Sequence, residues 1–159
     1  MERLALHIPY VRMAEDELAP ADRRLVESAK KSTETSYAPY SHFCVGAAAL
    51  LTSGETVCGS NQENAATPSG ICAERCAVSY ACARYPDAGV VAIAIAARDA
   101  TGAFTERPTP PCGMCRQVMA ETEARSGKPM RILLYGTSGT LVIEGVSALL
   151  PFGFDGSFL

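Results

Sequence analysis

The chain has 159 residues, 48 % hydrophobic and 19 % charged, with a formal net charge of −3. That length suffices for one domain with a substantial core and is short for two. No apolar run approaches the roughly 18 residues of a membrane helix, so no membrane partner is expected. The acidic balance argues against a nucleic-acid partner, because phosphate backbones are met by basic faces. The densest basic stretch, Arg23-Arg24 with Lys30-Lys31, is interleaved with Asp22, Glu27 and Glu34 and reads as a solvated helix face. Seven cysteines, an odd number in a chain with a good core, point to metal or buried thiol rather than disulfides. The opening residues are too broken for an export signal, so cytoplasmic residence is the expectation.

Residues 1–19 read as an N-terminal extension, with a short strand over residues 4–8, ahead of a single domain at residues 20–159. From Pro20, the spacing of Leu25, Val26 and Ala29 predicts an amphipathic helix to about Thr35. Residues 43–51 and 55–59, joined by Thr52-Ser53-Gly54, predict a hairpin. A loop follows over residues 61–71, then a helix from Cys72 to about Arg84, closed by Tyr85-Pro86-Asp87. The continuous apolar run at residues 90–97 predicts a central strand covered on both faces. A second helix runs from Cys112 to about Arg125, ahead of strands at residues 130–135 and 140–144 and a short helix at residues 146–150. Strands alternating with helices predict a layered α/β fold.

Two cysteine clusters carry the chemistry: Cys72-Ala73-Glu74-Arg75 and Pro110-Pro111-Cys112-Gly113-Met114-Cys115-Arg116-Gln117. Cys112 and Cys115 are three residues apart, so in a first helical turn both sulfurs lie on one face. Cys72 opens another helix. Near helix N-termini the unpaired N–H groups and the dipole favour the thiolate form. Three thiolates leave a tetrahedral zinc one ligand short, as in catalytic sites, and Glu74 stands two residues from the first thiolate as a proton carrier. Zinc with three thiolates is formally −1; two helix N-termini at about +0.5 each and the Arg75 guanidinium offset that charge.

These clusters resemble those of the cytidine deaminase family in its compact, three-cysteine form. The resemblance extends from about Ser36 to Phe154, through Tyr37-Ala38-Pro39-Tyr40-Ser41-His42-Phe43, Val45-Gly46-Ala47-Ala48, Asn61-Gln62-Glu63-Asn64-Ala65 and Leu149-Leu150-Pro151-Phe152-Gly153-Phe154. It implies a three-layer α-β-α fold with a central mixed sheet and one Zn²⁺ per subunit held by Cys72, Cys112 and Cys115. It implies hydrolytic deamination of cytidine and 2′-deoxycytidine in pyrimidine salvage, with Glu74 protonating ring N3 and then the departing amine. It assigns Phe43, Asn61, Glu63, Ala73 and Phe154 to the nucleoside and Gln117 to support behind the metal ligands, where the charge count itself predicts that Arg75 donates hydrogen bonds to a ligand sulfur. The resemblance also implies a homotetramer in which Phe154 reaches a neighbour's site.

Two positions depart from the family pattern: Thr67 stands where a tyrosine is usual, and Cys76 where a threonine is. Cys76, four residues after Cys72, leaves open a closed four-cysteine structural zinc site. Cys44, Cys58 and Cys82 have no ligand spacing and read as core. A modified cytosine nucleoside is an alternative substrate, and a non-catalytic zinc module an alternative of another class.

Overall fold

The computed structural model describes residues 1–159. Six strands, β1 (Val11–Met13), β2 (Cys44–Leu51), β3 (Thr56–Ser60), β4 (Val90–Arg98), β5 (Arg131–Leu134) and β6 (Thr140–Glu144), form one sheet in the order β1-β6-β5-β4-β2-β3. Only β4 and β5 pair in parallel; the other pairs are antiparallel, so the sheet is mixed. Three helices cover it: α1 (Pro20–Ser32), α2 (Ala73–Arg84) and α3 (Gly113–Ser126).

Strand periodicity divides the core into two layers. Ile93 and Ile95 of β4 join Ala77, Val78 and Met119 of α2 and α3 on one face, whereas Ala92, Ala94 and Ala96 join Leu25, Val26 and Ala29 of α1 on the other. The apolar run at residues 90–97 is therefore continuous because both faces are covered. This is the expected three-layer α-β-α arrangement. No helix is long and apolar enough to cross a membrane.

Two close approaches set the helices on the sheet. A Cβ on Gly46 would fall 2.2 Å from the Ala29 carbonyl oxygen of α1, and one on Gly59 would fall 2.6 Å from the Ala77 nitrogen and 2.7 Å from the Ala73 oxygen of α2. The missing side chains let both helices lie directly on the hairpin. β3 and β4 run in the same direction, and each is followed by a helix on the same face, as crossovers of one hand require. The N-termini of α2 and α3 consequently meet beyond the carboxyl ends of these strands, where open α/β sheets place ligand sites.

The N-terminal region differs from expectation. Residues 4–8 form no strand, although Leu4, Leu6 and Ile8 alternate; all three are exposed. Pro9 removes a backbone donor after them, and the edge of β6 is taken instead by β1, with Val11 opposite Val142. The segment before residue 20 thus adds a strand to the sheet and Leu18 to the core on the α1 face. The expected short helix at residues 146–150 is a single 3₁₀ turn, Val146–Ala148.

Candidate active site

Cys72 and Cys112 are the N-cap residues of α2 and α3, and Cys115 lies in the first turn of α3. Their sulfurs converge to within 4.8 Å of one another. Cys72 Sγ is 3.8 Å from Cys112 Sγ, and Cys112 Sγ is 3.5 Å from Cys115 Sγ. A tetrahedral zinc with Zn–S of about 2.3 Å calls for sulfurs about 3.8 Å apart, so the donor set fits that ion with one vertex left over. Cys76 stands outside the group: its Cβ lies over Gly59, in the layer between α2 and β3.

The cluster is electrostatically prepared. The Cys72 thiol is lowered to about 5, first by a hydrogen bond from Cys115 and then, against its burial, by the Arg75 guanidinium and Cys112. Cys115, buried and facing that thiolate, is pushed up. Arg75 donates from Nη2 to the Gly70 carbonyl at 3.3 Å, and its buried Nε–H has no protein acceptor. A buried orphan donor beside a thiolate suits a centre whose ligands carry excess negative charge.

Glu74 is 4 % exposed. Burial pushes its carboxyl above the usual range, and the neighbouring Cys72 charge adds to the effect. Burial thus makes Glu74 readier than a surface carboxylate to carry a proton at neutral pH.

A cleft of about 640 Å³ opens against this cluster, lined by Tyr40, Asn61, Glu63, Thr67, Cys72, Arg75 and Met114 among others. Asn61 and Glu63 are held by the chain as well as facing the cleft. Asn61 Oδ1 accepts from the Ser36 hydroxyl and, at 2.8 Å, from the Val45 N–H; its Nδ2 donates to the Phe43 carbonyl at 2.9 Å. Glu63 Oε2 accepts from the N–H groups of Tyr40 and Ser41 at 2.8 and 3.3 Å. The Ser41 hydroxyl and these N–H groups hold its carboxyl below the usual range. One amide N–H of Asn61 and one oxygen of Glu63 remain for a ligand.

Of the other sequence-predicted residues, Ala73 is fully buried at the start of α2, and half-buried Phe43 is tied to the site through its carbonyl rather than lining the cleft. Phe154 lies outside the cleft of its own chain, 57 % exposed. Gln117 donates from Nε2 to the Phe154 carbonyl at 2.8 Å. Sequence reasoning missed Met114 and Tyr40 as cleft residues. Met114, between Cys112 and Cys115 at a helix N-terminus, was already tied to the site by its spacing; Tyr40 had only its place in the block before Phe43.

Three thiols on two helix N-termini, with a buried carboxyl beside them and a polar cleft in front, define a metal-hydrolase type of centre. The family described as "Cytidine and deoxycytidylate deaminase zinc-binding region" matches residues 20–127. A cytidine deaminase of Halalkalibacterium halodurans is 42 % identical over 132 residues, which are 82 % of this chain and 91 % of that protein. The crystal structure of cytidine deaminase from Burkholderia pseudomallei resembles this fold with a TM-score of 0.71 at 37 % identity, over 82 % of this chain and 97 % of that one. The cytidine deaminase structure from Mycobacterium tuberculosis gives 0.65 at 28 % identity, over 86 % and 98 %. The chain belongs to the cytidine deaminase family.

Proposed function

We propose that this chain deaminates cytidine and 2′-deoxycytidine by hydrolysis, giving the uracil nucleoside and ammonia. The observation that carries the reading is the buried Glu74 carboxyl beside three thiols spaced for zinc. When bound, zinc supplies Lewis acidity that makes water a nucleophile at neutral pH. Glu74 does the proton work in two rounds: it takes a proton from the attacking water and delivers it to ring N3, then takes the second from the hydroxyl now on C4 and passes it to the amine as the C–N bond breaks, ending unprotonated as it began. Arg75 and the two helix N-termini offset the negative charge of the ligand set.

The sugar is read by complementarity. The remaining Asn61 N–H donates and the remaining Glu63 oxygen accepts, and a hydroxyl answers both at once. The carboxylate would repel a phosphate placed there, favouring nucleosides over nucleotides. The reading also assigns Ala73 and Phe43 to the nucleoside, Phe43 through the carbonyl that holds Asn61 rather than by lining the cleft. Its other parts are one zinc per subunit, a homotetramer in which Phe154 covers a neighbour's substrate, cytoplasmic residence and a duty in pyrimidine salvage. The exposure of Phe152, Phe154 and Phe158 supports the assembly, since a single copy leaves all three uncovered. The division into an extension, residues 1–19, and a catalytic domain, residues 20–159, belongs to the same reading, with β1 and Leu18 of the extension built into the domain's sheet and core.

The test is turnover of cytidine followed by ultraviolet absorbance and ammonia release, with competition by deoxycytidine and by aminoacylated cytosine nucleosides. Uridine formation with cytidine as an effective competitor supports the reading. Turnover confined to the modified nucleosides replaces it with that substrate class.

A further inference from the structure

Two adjacent side chains just past the last metal ligand leave the metal cluster and reach the C-terminal arm. Arg116 donates from Nε to the Pro111 carbonyl at 2.9 Å and from Nη1 to the Leu149 carbonyl at 2.7 Å. Gln117 donates from Nε2 to the Phe154 carbonyl at 2.8 Å. Pro111 immediately precedes the ligand Cys112, and Leu149 and Phe154 bracket the arm's turn. One guanidinium thus ties the ligand turn to the root of the arm, and the next residue ties the arm's end to the same helix.

The arm needs such ties. Phe152 adopts φ +56° while fully exposed, a left-handed conformation that a bulky residue holds only under constraint. Its internal hydrogen bonds are short-range: the Gly153 N–H donates to the Leu150 carbonyl at 3.2 Å and the Phe158 N–H to that of Asp155 at 3.3 Å. Phe154 stacks on Phe158 with centroids 5.5 Å apart, within the arm itself. Beside the apolar packing of Leu149 on the core, the hydrogen bonds that tie the arm to α3 run through Arg116 and Gln117.

We infer that Arg116 and Gln117 are positioning residues: they form a clamp that locks the Phe154-bearing arm to the metal-ligand helix, so that the arm's placement governs substrate binding. The binding consequence rests on the proposed role of Phe154; the clamp itself does not. Arginine matters for its fork, because two carbonyls in different directions are held by one rigid planar group, whereas a lysine offers a single point of donation.

The test compares wild type, Gln117→Ala, Arg116→Lys, Phe154→Ala and the double variant Gln117→Ala/Phe154→Ala, with Glu121→Gln, an exposed α3 position, as control. Hydrogen exchange of the C-terminal peptide, residues 149–159, is read in the zinc-loaded and metal-free protein, together with zinc content, assembly state, kcat and KM. The clamp predicts about two- to tenfold faster exchange of the arm in Gln117→Ala and Arg116→Lys, the range of one lost hydrogen bond, in both metal states. It predicts a KM raised by a similar factor with kcat and zinc content kept. The double variant is expected to bind no worse than Phe154→Ala alone, since both changes remove one contact. Unchanged arm exchange overturns the clamp. Faster exchange with unchanged KM, where Phe154→Ala does raise KM, overturns positioning. If Phe154→Ala leaves KM unmoved, the reading of Phe154 fails and the binding consequence with it, while arm exchange still decides the clamp.

Discussion

Gly59→Ala tests how the sheet builds the site. The added Cβ would stand 2.6 Å and 2.7 Å from backbone atoms of α2 and 3.0 Å from the Cβ of Cys76. Ordinary contact is about 3.5–4.0 Å, so α2 must rise from β3 by about 1 Å. No flexible side-chain end can yield in its place, because the nearest two atoms are backbone. Overpacking of this kind costs about 1–3 kcal/mol, which in a domain of this size lowers Tm by about 2–12 °C. Cys72 caps the same helix, so lifting α2 also spoils the 3.8 Å spacing to Cys112, and zinc transfer to a chelator should quicken. Gly46→Ala is the matched comparison, because its Cβ meets α1 on the opposite face: Tm falls and zinc transfer stays near wild type. Calorimetry and a chromogenic chelator read the two effects. A Gly59→Ala protein with wild-type Tm and zinc transfer, or equal zinc loss in both variants, would refute the reasoning.

Other consequences are equally open to measurement. In metal-free protein at pH 7, iodoacetamide should label Cys72 before Cys115, because the first is a thiolate above about pH 5 and the second is buried and pushed up; peptide mapping reads the order, and preferential labelling of Cys115 contradicts it. Cys76→Ala should retain zinc, whereas Cys72→Ala, Cys112→Ala and Cys115→Ala should each lose it on dialysis against a weak chelator; zinc loss from Cys76→Ala would favour the closed four-cysteine site. Arg75→Ala should weaken zinc binding about 10- to 100-fold and move the acid limb of the pH–rate profile to higher pH, since the cation opposing the ligand charge is gone. An unmoved profile removes Arg75 from that role.

The site was legible where chemistry and local geometry coincide. Cys112 and Cys115 sit three apart at a helix start, and Cys72 opens the preceding helix, so their convergence followed from spacing once the helices lie side by side. The strand at residues 90–98 was legible because burial on both faces writes itself as an uninterrupted apolar run. What escaped was set by contacts distant in sequence. Leu4, Leu6 and Ile8 alternate as a strand would, yet the short free edge of β6 is filled from Val11 onward, and no residue at 4–8 records that choice. Nothing near Gln117 in the sequence shows what its amide bonds to. Its partner is 37 positions away in the chain. Asn61 and Glu63 showed their chemistry but not their second duty, the fixing of the Tyr37–Val45 region through Phe43, Val45, Tyr40 and Ser41.

The most direct measurement sets wild type beside Glu74→Gln, following uridine formation from cytidine with the zinc content of both proteins determined. Glutamine keeps the shape and buried position but neither takes nor gives the proton. Uridine formation by wild type, with a loss greater than the ~10²–10⁴-fold of a single general acid–base contribution in a zinc-replete Glu74→Gln, is the result predicted here. A zinc-replete Glu74→Gln that turns cytidine over at the wild-type rate would contradict the account.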